Sequence, residues 1–118
     1  MPWDLSGDSP IYLQLVAHIE RNILSGEYAP GGKCPSVREL ACTAAVNPNT
    51  MQKALQELER KGLIDNNRTS GRTITNDKQL LSEMKLQLAK EYLQVFQKSM
   101  TGLGYSDEET KDFIKNQL

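Results

Sequence analysis

The sequence has few of the residues that enzyme and metal sites usually need. Its 118 residues include one histidine and two cysteines. A single histidine, His18, offers no metal-ligand spacing, and Cys34 and Cys42 make no disulfide framework in such a chain. No serine or cysteine stands with a base at a recognisable spacing, and no glycine-rich phosphate loop is present. We therefore expect no enzymatic activity, no cofactor and no metal ion.

Long apolar runs are also missing. The chain has no stretch of about 18 apolar residues, so we expect no membrane span. No basic segment followed by an apolar stretch opens the chain, so we expect no signal peptide and a cytoplasmic location. The two cysteines are then expected to be packing thiols. A redox role for Cys34, which lies in a loop between predicted helices, is the alternative.

Neither positive nor negative charge is in marked excess. The formal net charge is −1 at pH 7. Residues 1–76 hold eight basic and eight acidic residues, and residues 77–118 hold six and seven. Affinity for a polyanion would therefore need local clustering of cations. Net charge alone does not separate a DNA-binding domain from a protein–protein module.

Apolar spacing predicts a first helix over residues 10–24. Ser9 is a candidate N-cap, and Pro10 suits the first helical position. His18 falls on the polar side and is expected to be solvated. The apolar stripe recurs at helical spacing and comprises Tyr12, Leu15, Val16, Ile19 and Ile23.

Two further helices are predicted from cap signals. One begins after Ser36 and runs to about Thr43. The next opens with Asn47 and Pro48, because Asn at the cap followed by Pro is a strong start signal, and Gly62 ends it. The residues expected to face inward are Val37, Leu40, Ala41, Ala44, Met51, Ala54, Leu55 and Leu58.

Two short extended segments follow, over residues 63–66 and 72–75. The polar stretch 67–71 between them ends in Gly71, which tolerates a positive φ. Together they predict a small hairpin. Three helices followed by a basic-tipped hairpin are the outline of a winged helix-turn-helix. The expected fold is therefore mainly α, with a small β-hairpin wing.

From about Asp77 the pattern changes to one long helix that reaches about Met100. Its apolar face is too wide for an isolated helix in water and needs a cover. We expect this face to form a homodimer interface, with packing on the N-terminal part of the same chain as the alternative. The expected interface residues are Leu81, Met84, Leu88, Tyr92, Val95 and Phe96.

A last helix is predicted to run through Leu118, because Ser106 and Glu109 form a capping-box pattern. The apolar residues expected to fold back on the long helix are Phe113, Ile114 and Leu118. The sequence thus predicts a winged helix-turn-helix domain over residues 1–76 and a two-helix dimerisation hairpin over residues 77–118.

In a helix-turn-helix, the second helix enters the major groove with its first residues near base edges. Amides such as Asn49 and Gln52 can pair with adenine, and Lys53 can reach guanine or phosphate. Each of these residues taken alone is more often solvated surface, and their common placement favours DNA. The candidate DNA-binding residues are Ser36, Arg38, Asn47, Asn49, Thr50, Gln52, Lys53, Arg68, Ser70, Gly71 and Arg72.

Three runs of the sequence, Pro10–Leu15, Gly26–Gly31 and Pro35–Ala41, are followed in register by the segments Val46–Thr50 and Gly62–Ile64. Together these segments resemble the signature of the GntR family of bacterial regulators. The short helical tail resembles the YtrA-type subfamily. The resemblance implies a homodimeric repressor on an inverted-repeat operator of double-stranded DNA, often beside transporter genes.

The sequence departs from the family pattern at several positions. Pro48 stands where many members carry arginine, so a common base-reading side chain is missing. Cys34 replaces the usual leucine, and Thr69 and Thr73 replace a wing glycine and an aromatic residue. The tail leaves little room for a dedicated ligand pocket. Whether a small-molecule effector exists stays open.

Overall fold

A computed structural model describes residues 3–118. Within this range the chain is mainly α, with one two-stranded antiparallel hairpin, which confirms the predicted fold class. Between Leu81 and Ser82 the chain divides into two compact units. The elements are α1 (Ile11–Leu24), α2 (Val37–Ala44), α3 (Pro48–Arg60), β1 (Ile64–Asn67), β2 (Gly71–Ile74), α4 (Lys78–Gly102) and α5 (Asp107–Gln117).

The start of α1 differs from the prediction. Ser9 does not cap the helix; Pro10 is the cap residue, and no side chain caps it. The side-chain amide of Gln14 instead donates to the carbonyls of Ser6, at 2.8 Å, and Ser9, at 2.9 Å. The carbonyl oxygen of the same amide accepts from the backbone N–H of Ser6 at 2.7 Å. Gln14 therefore ties the segment before α1 to the helix, an arrangement that local cap preferences do not reveal.

The prediction that His18 is solvated is wrong. Its ring stacks on Trp3, with centroids 3.8 Å apart and an interplanar angle of 12°. The Trp3 ring comes from the segment before α1 and covers one face of the imidazole. The pKa of His18 lies below its ordinary value, mainly because the ring is partly buried and also because Arg21 is nearby. The carboxylate of Glu27 acts in the opposite direction.

The core of the first unit is formed where α1 and α2 pack on α3. Between α2 and α3, Ala45 takes the left-handed conformation with φ of 59° and ends α2. This tight turn fixes the direction in which α3 leaves. The predicted inward residues of α3 are all buried, while Val37 of α2 is only half-buried. The largest fully buried side chains are Leu15, Ile19, Ile23, Met51, Leu55, Leu58, Leu63 and Ile74.

The hairpin forms as predicted, with each strand displaced by one residue. Ile64 pairs with Ile74 and Asn67 with Gly71. Leu63 does not open the first strand, because its N–H donates to the Leu58 carbonyl at the end of α3. The loop before α2 joins the hairpin from the other side, since the N–H of Ile74 donates to Gly32 at 2.8 Å. The wing is thus anchored to the body of the first unit.

The second unit consists of the rest of α4 and α5. The predicted capping box is present: the Glu109 N–H donates to the Ser106 hydroxyl, and the Glu109 carboxylate accepts from the Ser106 N–H. Phe113 packs edge-on against Tyr105, with centroids 6.1 Å apart. Leu118 does not fold back, because it lies beyond the last turn of α5 and is fully exposed.

Across residues 3–118, no helix combines the length and the hydropathy that a membrane-spanning helix needs. Over the same range, no group of three or more histidine, cysteine or acidic side chains is placed to hold a metal ion.

Candidate nucleic-acid interface

Both helices of the helix-turn-helix begin with a side-chain cap. The Asn47 side-chain oxygen accepts from the Asn49 N–H at 2.7 Å, and Pro48 occupies the first turn of α3. The Ser36 hydroxyl accepts from the Glu39 N–H at 3.1 Å in a full capping box. These two predicted site residues therefore use their side chains to fix the helix starts. Backbone N–H groups at such helix starts are suited to phosphate oxygens.

The outward face of α3 is polar, as the helical spacing predicts. Asn49 and Lys53 are exposed, and Thr50 and Gln52 are half-buried. Lys53 is held from outside its own helix, since its ammonium lies 3.9 Å from the centroid of the Tyr12 ring in α1. The structure thus brings Tyr12, which was predicted only as a core residue, to the edge of the candidate interface.

Arg38 and Arg68 are two further exposed cations of the first unit. Arg38 lies in the first turn of α2, and Arg68 lies in the turn of the hairpin. Ser70 ends that turn and Gly71 begins β2; both are exposed, and Gly71 has a φ of 77°. A positive φ is strained for most other residues, so glycine allows the tight return into β2.

Arg72 is engaged within the protein. Its Nε atom lies 2.5 Å from a carboxylate oxygen of Glu59, near the end of α3. The side chains of Arg72 and Glu59 are only 17% and 25% exposed. Because Arg72 belongs to β2, this ion pair holds the hairpin to α3, the second helix of the helix-turn-helix, hereafter the recognition helix. The charge of Arg72 is therefore largely compensated before any partner arrives.

An open cleft of about 780 Å³ separates the start of α2 from the wing. Its lining includes Lys33, Ser36, Asn66 and Arg72. Lys33 is exposed and bridges to Thr73 of β2 through its backbone. Sequence reasoning missed this lysine as a site residue. The signal was a cation placed just before a capping box, beside a helix start that favours anions.

The two cysteines have different surroundings. Cys34 is buried, and this burial raises the pKa of its thiol, although the nearby Arg72 acts in the opposite direction. A raised thiol pKa lowers the fraction of reactive thiolate. Cys42 is exposed. The prediction of a packing thiol therefore agrees with the surroundings of Cys34 and is wrong for Cys42, because Cys42 lies on the outward side of α2.

Three helices, of which the third is capped by Asn47, and a hairpin anchored to them define a winged helix-turn-helix protein. The family model for bacterial regulatory proteins of the gntR family matches residues 11–74. The chain belongs to this GntR family, and it is a DNA-binding transcriptional regulator. The resemblance identified from the sequence is thereby confirmed.

Two curated relatives cover most of the chain. An uncharacterised HTH-type transcriptional regulator, YhcF of Bacillus subtilis, is 41% identical over 90% of this chain and 88% of its own length. The HTH-type transcriptional repressor YtrA of the same organism is 44% identical over 76% of this chain and 70% of its own. Relatives of this kind place the chain in the YtrA-type subfamily.

Solved structures agree with this assignment. A GntR family transcriptional regulator from Listeria monocytogenes superposes with a TM-score of 0.85 at 35% identity, covering 97% of this chain and all of its own. YtrA from Sulfolobus acidocaldarius gives 0.56 at 28% identity, over 98% of this chain and 94% of its own. The AraR DNA-binding domain, solved in complex with an operator, gives 0.56 at 25% identity, over 64% of this chain and 95% of its own.

Proposed function

We propose that the chain is a homodimeric repressor that acts on an inverted-repeat operator. The observation that carries the proposal is the outward face of α3, where Asn49 and Lys53 are exposed beside the cation Arg38 of α2. This is where a helix-turn-helix reads base edges. The name of the relative YtrA includes the word repressor, and AraR was solved on an operator.

The candidate residues divide into readers and positioning contacts. Asn49 and Gln52 suit adenine edges, and Thr50 at the helix start suits a base edge or a phosphate. Arg38, on α2, contacts a DNA phosphate, and Arg68, in the turn of the wing, contacts the minor groove or its rim. Lys33 supplies a free cation beside the cleft, where Arg72 is already paired with Glu59.

The proposed dimer interface is the apolar face of α4. In the single chain, Tyr92 is 54% exposed and Val95 is 64% exposed. Of the remaining predicted interface residues, Leu81, Met84, Leu88 and Phe96 are half-buried. Large apolar side chains exposed in this way favour a second copy as their cover. Two-fold symmetry would place two recognition helices about 34 Å apart on successive major grooves.

These two surfaces assign a separate role to each part of the chain. Residues 1–76 bind DNA, and residues 77–118 dimerise. The expected location is the cytoplasm, where the operator is found, and the expected targets are genes beside transporter genes. No small-molecule effector is needed for this scheme, and no enzymatic step is part of it.

The deciding experiment is binding to a DNA fragment from the region upstream of the gene, with random DNA as competitor and a salt series. Binding that survives competitor and maps to an inverted repeat is expected. Arg38→Ala should weaken it, because a phosphate contact is lost. No binding even at low salt would refute the proposal and favour a protein–protein module with the same fold.

The dimer is tested separately by sedimentation at micromolar concentration. Leu88→Arg places a charge in the proposed interface, so the protein should become monomeric and operator affinity should fall with it. Gln94→Arg adds the same charge at an exposed position of α4 away from that face, and it should stay dimeric. A wild-type monomer would contradict the proposed interface.

A further inference from the structure

The Tyr12 ring is the only aromatic face that contacts a side-chain cation within residues 3–118. It lies in the first turn of α1 and is half-buried. The Lys53 ammonium stands 3.9 Å from its centroid. At this distance a ring face attracts a cation through its quadrupole. The contact joins α1, which no part of the proposed interface includes, to the recognition helix.

The cations around α3 differ in how they are held. Arg60 pairs with Glu57, Lys61 with Glu20 at 3.4 Å, and Arg72 with Glu59. In the described part of the chain, Lys53 has no carboxylate partner. A carboxylate would fix a cation and neutralise it. A neutral ring restricts the same side chain while leaving its full charge for a polyanion.

We propose that Tyr12 is a positioning residue for DNA binding, because its ring orients the Lys53 ammonium on the recognition helix before DNA arrives. This inference rests on the proposed function. A free lysine side chain has four rotatable bonds, and ordering it upon binding costs entropy. Prior contact with the ring removes part of that cost, so the bound complex gains affinity without a new contact to DNA.

The test is a double-mutant cycle measured as operator affinity by fluorescence anisotropy. Tyr12→Leu removes the ring and keeps apolar bulk, and it should weaken binding about two- to fivefold per half-site, the range expected for one exposed cation–π contact. Tyr12→Phe keeps the ring and should restore near wild-type affinity. In a Lys53→Met background, Tyr12→Leu should cause no further loss.

Tyr28→Leu is the matched control, because it removes a half-buried tyrosine of the same unit that holds no cation. It should leave operator affinity unchanged. Equal losses from Tyr12→Leu with and without Lys53 would overturn the inference while leaving operator binding established. If the wild-type protein shows no operator binding at all, the proposed function fails instead. The two failures are therefore distinguished by whether the wild-type protein binds the operator.

A second measurement does not depend on the Tyr12→Leu variant folding. The Lys53 Nζ atom lies over the Tyr12 ring. Ring currents should therefore shift the NMR signals of the adjacent ε-methylene protons upfield of those of the other lysines. The shift should persist in Tyr12→Phe. An unshifted Lys53 signal in the wild-type protein would overturn the inference directly.

Discussion

The salt dependence of operator binding tests the arrangement of charges on the proposed DNA surface. Among the residues of the proposed DNA surface, the exposed cations that make no ion pair are Lys33, Arg38, Lys53 and Arg68. A dimer presents each of them twice, or about eight charges. With about −0.9 per neutralised phosphate, the slope of log K against log salt should be about −7.

A slope of this size has a large effect. Between 50 and 200 mM salt, operator affinity should fall about 20,000-fold. Arg38→Ala removes one contact per protomer, so the slope should become shallower by about 1.8. The assay is fluorescence anisotropy on a labelled inverted-repeat duplex, with competitor DNA to separate specific from non-specific binding.

The matched control is Arg60→Ala. Arg60 is the last residue of α3 and its side chain is 73% exposed, but the Glu57 carboxylate already compensates its charge. Its loss should leave the slope within error of the wild type. A wild-type slope shallower than about −3, or equal changes from Arg38→Ala and Arg60→Ala, would refute the assignment of free and compensated cations.

Three further outcomes are expected. Leu55→Ala should lower the free energy of unfolding by about 2–5 kcal/mol in thermal or urea unfolding, because Leu55 is fully buried between helices. The pKa of His18 in the folded protein lies below its ordinary value of 6.5. The free energy of unfolding should therefore decline as the pH falls from 6.5 through that folded pKa, because the unfolded chain binds the proton more readily. Unfolding can be followed by the fluorescence of Trp3, and a pH profile unchanged by His18→Gln would contradict this expectation. In thiol labelling of the native protein, Cys42 should react quickly and Cys34 slowly, because burial raises the pKa of the Cys34 thiol.

Much of the fold could be predicted because its signals are local. The capping boxes at Ser36 and Ser106 join residues three apart, so a sequence pattern reports them directly. The apolar spacing of α3 likewise predicted which of its residues are buried and that Asn49 and Lys53 face outward. The prediction that Ser9 caps α1 was wrong. The side-chain amide of Gln14 donates to the Ser9 carbonyl instead, a contact that no cap pattern includes.

Sequence by itself determined the family, the element order and the outward face of the recognition helix, since all of these depend on spacing along the chain. Tertiary structure alone decided that the charge of Arg72 is compensated and that the Lys53 ammonium lies on a ring. Arg72 and Glu59 are thirteen positions apart and meet only because β2 pairs with β1, which packs against α3. The contacts of Lys53 with Tyr12 and of His18 with Trp3 likewise join residues that are distant in sequence. Electrostatic and ring contacts depend on distance in space, which the order of residues does not specify until the helices have packed.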